Sequence, residues 1–259
     1  MFLKEFKEFI KNILAVVYLW FGVSFFLFCF NLKEIKIIKK SFLLPFPSVN
    51  SFSSQIFKKI QNDLLPEGVK LIVTNPLSAF LAQVSLSLLI ALILISPLLF
   101  YKMIKYLSPA LFEKEKKCLI KTLFPSVLLF FLGCVFAYFL LIPAVFKALY
   151  PFAISIGAIP FFSATEFIGL VFGLIFASGL IFLLPVFMIL LSSLGIIEFD
   201  FWRKNWRYAV LIFLIFSAII TPDGTGISMM MLSAPLTGLY FLGTIITTKN
   251  VKCKIKKFS

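Results

Sequence analysis

The chain has 259 residues, 61% hydrophobic and only 14% charged, with a mean hydropathy of +1.06; soluble domains carry about 25% charged residues, so a soluble globular fold is excluded. The composition implies an integral membrane protein with room for six spans of about 20 residues. The net charge of +14 does not point to nucleic acid, because the lysines lie between apolar runs, where they act as topology and headgroup signals.

In chain order, Met1 to Asn12 places Phe2, Phe6 and Phe9 ahead of Ile13 at three- and four-residue steps, which predicts a short amphipathic helix on the membrane interface. No small-residue cleavage pattern follows it, so the first span, Ile13 to Asn31, is expected to be retained. Leu32 to Pro76 is a long polar interruption. Within it, Phe52, Ile56, Ile60 and Leu64 keep i,i+4 spacing, predicting an amphipathic helix that caps one mouth of the bundle. Asn75-Pro76 reads as a helix start, and Leu77 to Phe100 is the second span, with Pro97 expected to bend it. The stretch Ser96 to Lys117 follows as a lysine-rich hairpin in which Pro109 should stop the helix.

The third span runs from about Leu119 to Phe146, with Gly133, Ala137 and Pro143 as small or kinking residues. Tyr150-Pro151 to Ser163 is expected to form a loop. Gly169, Gly173, Ser178-Gly179 and Pro185 predict that the fourth span, Phe167 to Leu194, is bent or closely packed. Glu198 to Trp206 is a short charged loop. The fifth span, Tyr208 to Ile220, covers only about 20 Å and forms a low wall; Ile227 to Thr247 is the sixth. With the N-terminus inside, segments 1–12, 101–121, 195–207 and 248–259 hold 17 of the 25 lysines and arginines. The reading is therefore an all-α membrane protein: six transmembrane helices, N-in and C-in, some bent, in an open bundle. It forms a single domain over 1–259, with a cytoplasmic amphipathic segment (1–12), an extracytoplasmic cap (32–76) and a basic cytoplasmic tail (248–259).

Chemistry is sparse. There is no histidine, no GxSxG, and Cys29, Cys118, Cys134 and Cys253 are scattered without a CxxC, so neither an enzyme, a metal nor a cofactor is expected. The eleven acidic residues are the informative minority. Glu5 and Glu8, and Glu113 and Glu115, fall on one predicted membrane face. They are either solvated charges beside lysines or a receptor for a cationic peptide, since carboxylates match guanidinium groups in bidentate, charge-assisted bonds. Asp223, in a TPDG turn, and Glu166, at a helix start, read as structural. No span carries an ionisable residue near its centre, which argues against a proton-coupled transporter.

Ser96-Pro97, Tyr101, Tyr106, Ser108-Pro109-Ala110-Leu111 and Glu115-Lys116 form one set of motifs in this sequence. A second set is Phe131-Leu132-Gly133 with Phe136-Ala137-Tyr138 and Pro143, then Pro185, Arg207-Tyr208, Thr221-Pro222-Asp223, Ala234-Pro235-Leu236 and Leu239-Tyr240. On these the chain resembles TatC, the polytopic receptor component of the twin-arginine protein translocase, over essentially its whole length. The resemblance implies a receptor for paired-arginine signal peptides of folded proteins, with no cofactor and no nucleic acid. It also implies single-span TatA/TatB-type partners, self-association in a larger complex, and export driven by the proton-motive force across a plasma membrane rather than a thylakoid. Glu5 and Glu115 match the family's signal-peptide glutamates, Pro97, Tyr101, Tyr106 and Pro109 would shape the surface beside them, and Asp223 would face an extracytoplasmic pocket. The sequence departs from the family pattern at Leu183, where the fourth span commonly has a glutamate, and at Phe241. A secondary transporter for a small solute is the alternative, and it requires inverted repeats and a polar midplane site.

Overall fold

The computed structural model describes residues 2–37, 40–47, 51–65, 70–73, 75–107, 113–155, 161–193, 196–221 and 226–255. The chain divides into two compact units, residues 1–102 with 153–172, and residues 103–152 with 173–259.

In the first unit, helix α1 (Phe2–Cys29) is 28 residues long. The amphipathic start and the first span, expected as separate helices, are one: no proline intervenes, and continuing the ladder pairs every backbone group where a break would strand several. At 1.5 Å per residue α1 is about 42 Å long, against about 30 Å of hydrocarbon. Its charged N-terminal turns therefore project beyond the apolar part, Ile13–Cys29. Strands β1 (Phe30–Ile37) and β2 (Lys40–Pro47) follow as an antiparallel hairpin in register from Phe30↔Pro47 to Ile37↔Lys40. The all-helical expectation did not contain it. Pro45 and Pro47 are tolerated because both strands of a two-stranded ribbon are edges.

The predicted amphipathic helix is present as α2 (Phe52–Leu64), with Ile60 and Leu64 buried and Lys58 and Lys59 exposed. It packs against α1 and β1, and its Phe57 ring meets Phe167 edge-on at 6.4 Å. Strands β3 (Lys70–Ile72) and β4 (Phe161–Ser163) pair in parallel, tying the two loops together at one end of this unit.

Helix α3 (Pro76–Leu107) opens at the expected proline and runs through Pro97. Pro97 has no N–H to give the Ile93 carbonyl; the Ser96 hydroxyl donates to that oxygen instead, at 2.8 Å. Trp20 Nε1 donates to the Leu88 carbonyl at 2.9 Å, and Thr165 Oγ1 to the Ser78 carbonyl at 3.1 Å. These bonds fix α3 against its neighbours in a setting where apolar burial contributes little to helix association.

The second unit contains α4 (Glu113–Phe136), a five-residue π-helical turn (Ala137–Leu141) and most of α5 (Ile142–Ser155). The Ile142 N–H reaches the Ala137 carbonyl across the wide turn, which accommodates the bond that Pro143 cannot make. Helix α5 continues through Pro151 to Ser155, so the loop expected from Tyr150 starts later. Near a helix end, the carbonyl that loses its donor to proline can be hydrated.

Helix α6 (Ala164–Phe182) breaks at Leu183, and α7 (Leu184–Ser193) resumes at once, the bend expected at Pro185. The charged segment expected as a loop contains α8 (Phe199–Lys204), followed by α9 (Trp206–Ile220, 15 residues) and α10 (Ile227–Ile255). Gly226, at φ +71, supplies the left-handed residue before α10. Trp202 Nε1 donates to Ser192 Oγ at 2.9 Å and the Tyr240 hydroxyl donates to the Trp202 carbonyl, which anchors α8 to α7 and α10. Among the described residues, four helical segments are long and apolar enough to cross a membrane, Leu77–Lys102, Thr122–Phe152, Ala164–Ser192 and Ile227–Thr247, and Ile13–Cys29 and Trp206–Ile220 are shorter apolar helices. Together they are the six spans of an all-α membrane fold.

The small residues divide into two groups. A Cβ on Gly133 would lie 2.7 Å from the Ser178 carbonyl oxygen and 3.0 Å from the Gly179 Cα, and one on Gly179 would lie 2.8 Å from the Phe130 ring. The Ser178 hydroxyl donates to the Gly133 carbonyl at 3.0 Å. Gly169 and Gly173, expected to share this role, have nothing within 4 Å of a notional Cβ.

Candidate functional site

A site for a cationic peptide needs carboxylates held outside hydrocarbon on rigid supports. From Glu5 to Ile13 is about 12 Å of helix at 1.5 Å per residue, so Glu5 rides on the projecting turns of α1. Glu113 and Glu115 lie in the first turn of α4, where unpaired N–H groups favour negative charge. From Glu115 to Thr122, where the apolar part begins, is about 10 Å. The side chains of Glu5 and Glu115 lie outside the described residues, so only their backbone positions are given.

Pro97 and Tyr101 stand one turn apart on α3, and Tyr101 is 51% exposed, as are Leu94 and Leu98 in part along the same stripe. Tyr106 lies in the last turn of α3. The Tyr106 side chain, Pro109 and Asp223 lie outside the described residues. The structure thus joins Pro97 with Tyr101 on one face of α3.

Leu183, where the resemblance implies a glutamate, is 3% exposed at the break between α6 and α7. The adjoining Pro185 packs against α10, where a Cβ on Gly243 would come within 3.2 Å of the proline Cβ. The buried polar side chains in the spans are serines and threonines. Several donate to carbonyls of their own helix, as Ser87 does to Gln83, Ser126 to Thr122 and Thr247 to Gly243, a self-contained solution to burial in lipid. No group of three or more His, Cys, Asp or Glu that could hold a metal occurs among the described residues.

Sequence reasoning missed one feature, an apolar groove of about 430 Å³ formed by the π-helical turn, α5 and the start of α10, with Lys147 on its rim. The available signal was a lysine between Ala144 and Ala148, just past the expected end of the third span at Phe146.

The TatC family model, described as Sec-independent protein translocase protein, matches residues 2–235. The chain is 35% identical over 241 residues to the Sec-independent protein translocase protein TatC of Cenarchaeum symbiosum, covering 93% of this chain and 91% of that one. It is 34% identical over 180 residues to the protein of the same name from Desulforapulum autotrophicum, covering 69% of this chain and 66% of that one. The crystal structure of a twin arginine translocase receptor, TatC, superposes with a TM-score of 0.72 at 25% identity, covering 96% of this chain and 98% of that one.

Proposed function

The chain belongs to the TatC family of Sec-independent protein translocases, and from that premise we propose that it is the receptor subunit that binds the paired-arginine signal peptides of folded proteins. As a member of the family it is a multi-pass membrane component of a protein translocase, without catalytic activity of its own. In the proposed arrangement both termini face the cytoplasm across a plasma membrane. Glu5 and Glu115 receive the two guanidinium groups, and Pro97, Tyr101, Tyr106 and Pro109 shape the adjoining surface. Single-span partners assemble on the chain, self-association builds the larger complex, and the proton-motive force drives export. Asp223 lies in the pocket at the opposite face.

The observation that carries this reading is that both glutamates belong to helical segments extending past the apolar spans, about 10–12 Å beyond them at the helical rise. Carboxylates carried on such helices can form charge-assisted, bidentate bonds to arginine, which a lysine ammonium cannot match in geometry. A solute transporter would instead need a polar site at mid-membrane; within the spans, hydroxyls such as those of Ser87 and Ser126 donate to carbonyls of their own helices.

Cross-linkers placed at positions 5 and 115 are expected to capture a signal peptide with two arginines and to lose it when both are lysines; equal labelling of the two peptides rejects the receptor role. Glu115→Gln is expected to weaken peptide binding by about 1.5–3 kcal/mol through loss of a charged hydrogen bond. Asp223→Asn should leave peptide affinity unchanged.

A further inference from the structure

We propose that the groove between α5 and the first turns of α10 is a binding site for one anionic phospholipid, whose acyl chain lies along the apolar wall while its headgroup phosphate meets Lys147. The groove arises from the fold. The π-helical turn displaces Phe139 and Leu140 from regular helical register, Pro143 and Ala144 leave a low floor, and Ile227 and Met231 at the start of α10 close the other side. Its volume, about 430 Å³, lies within the usual range for small-molecule sites, about 300–1,000 Å³.

Lys147 is the one charged residue among those lining the groove. It is exposed, and no salt bridge to it occurs among the described residues. It stands within the span Thr122–Phe152, about 7 Å of helix before its end, the depth at which a lysine stem lies along apolar surface and carries its ammonium to the headgroup layer. A cation at the mouth of an otherwise apolar cleft, at that depth, complements a molecule with an anionic head and a hydrocarbon tail. A partner's transmembrane helix would fill the apolar wall equally well but would leave the ammonium in need of a separate anion.

The test uses the full chain in vesicles of phosphatidylcholine and phosphatidylglycerol, each lipid supplied in turn with a photoreactive group on its acyl chain. Phosphatidylglycerol should label segments 139–148 and 227–231 about fivefold more than phosphatidylcholine, the ratio that one surface cation contributes against an anionic headgroup. Lys147→Gln should remove that preference and Lys147→Arg should restore it. Ala144→Leu, which fills the floor, should reduce labelling by both lipids. Equal labelling of the native chain by the two lipids overturns the proposal, as does a preference that survives Lys147→Gln. Labelling absent from the groove but present on a co-purified single-span polypeptide would assign it to a partner helix and likewise overturn the proposal.

Discussion

The two halves of α6 carry the same kind of residue and use it in opposite ways. Gly169 and Gly173 in the first half face open space, whereas Ser178 and Gly179 in the second press against Gly133 and Phe130 of α4 so closely that a single added carbon would come within 3 Å of its neighbours. A glycine in a span is therefore not by itself a packing residue. It becomes one when the opposing helix presents a second bare backbone and a hydroxyl beside the first glycine reaches the carbonyl exposed there, as Ser178 of α6 does to Gly133 of α4. Without hydrophobic drive between helices in lipid, close approach and interhelical hydrogen bonding are what remain to hold the crossing.

The largest effect is expected at Gly133. Its notional Cβ meets a backbone oxygen, which cannot rotate away as a side-chain end could. Gly133→Ala should therefore lower the stability of the purified protein in mild detergent by about 1–3 kcal/mol, and Gly133→Leu by more. An unchanged thermal midpoint for the alanine variant would mean the crossing is looser than described. Ser178→Ala removes the hydroxyl that serves the Gly133 carbonyl but fills no space. It should cost about 0.6 kcal/mol, and at most about 1.7, as interhelical hydrogen bonds in membranes do. If Ser178→Ala costs more than Gly133→Ala, the hydrogen bond rather than the close approach holds the helices together.

This contrast also marks how far the sequence can be read. Features governed by local periodicity or by one strong punctuating residue were legible: α2 from Phe52, Ile56, Ile60 and Leu64, the start of α3 from Pro76, the break before Pro185, and the short fifth helix. Features set by distant partners were not. The parallel pair β3–β4 joins segments of three residues each, too short for any period, and the hairpin β1–β2 is interrupted by charges and prolines that resemble a loop. The continuity of α1 was missed because a change from amphipathic to wholly apolar composition is not a helix stop, and α5 because a proline near a helix end need not be one. For the candidate site, residue types and motif order proposed the carboxylates, and the structure adds the helices on which their backbones lie. The groove at Lys147 depends on a π-helical turn meeting α10, a juxtaposition no local pattern announces.

The smallest effect has the opposite sign and tests the comparison most directly. Gly173→Ala adds a methyl group where nothing lies within 4 Å and removes the backbone freedom that makes glycine a poor helix former, so it should stabilise the protein by up to about 1 kcal/mol. Gly179→Ala, six positions further along the same helix, should destabilise it, because its Cβ would lie 2.8 Å from the Phe130 ring. Measuring both variants by thermal midpoint in detergent removes differences in expression and insertion from the argument. Repeating Gly173→Ala on the chain assembled with its partners then separates two origins of the open glycines. A gain kept in the complex leaves them facing lipid, whereas a gain in isolation that becomes a loss on assembly identifies Gly173 as the bare backbone against which another helix closes.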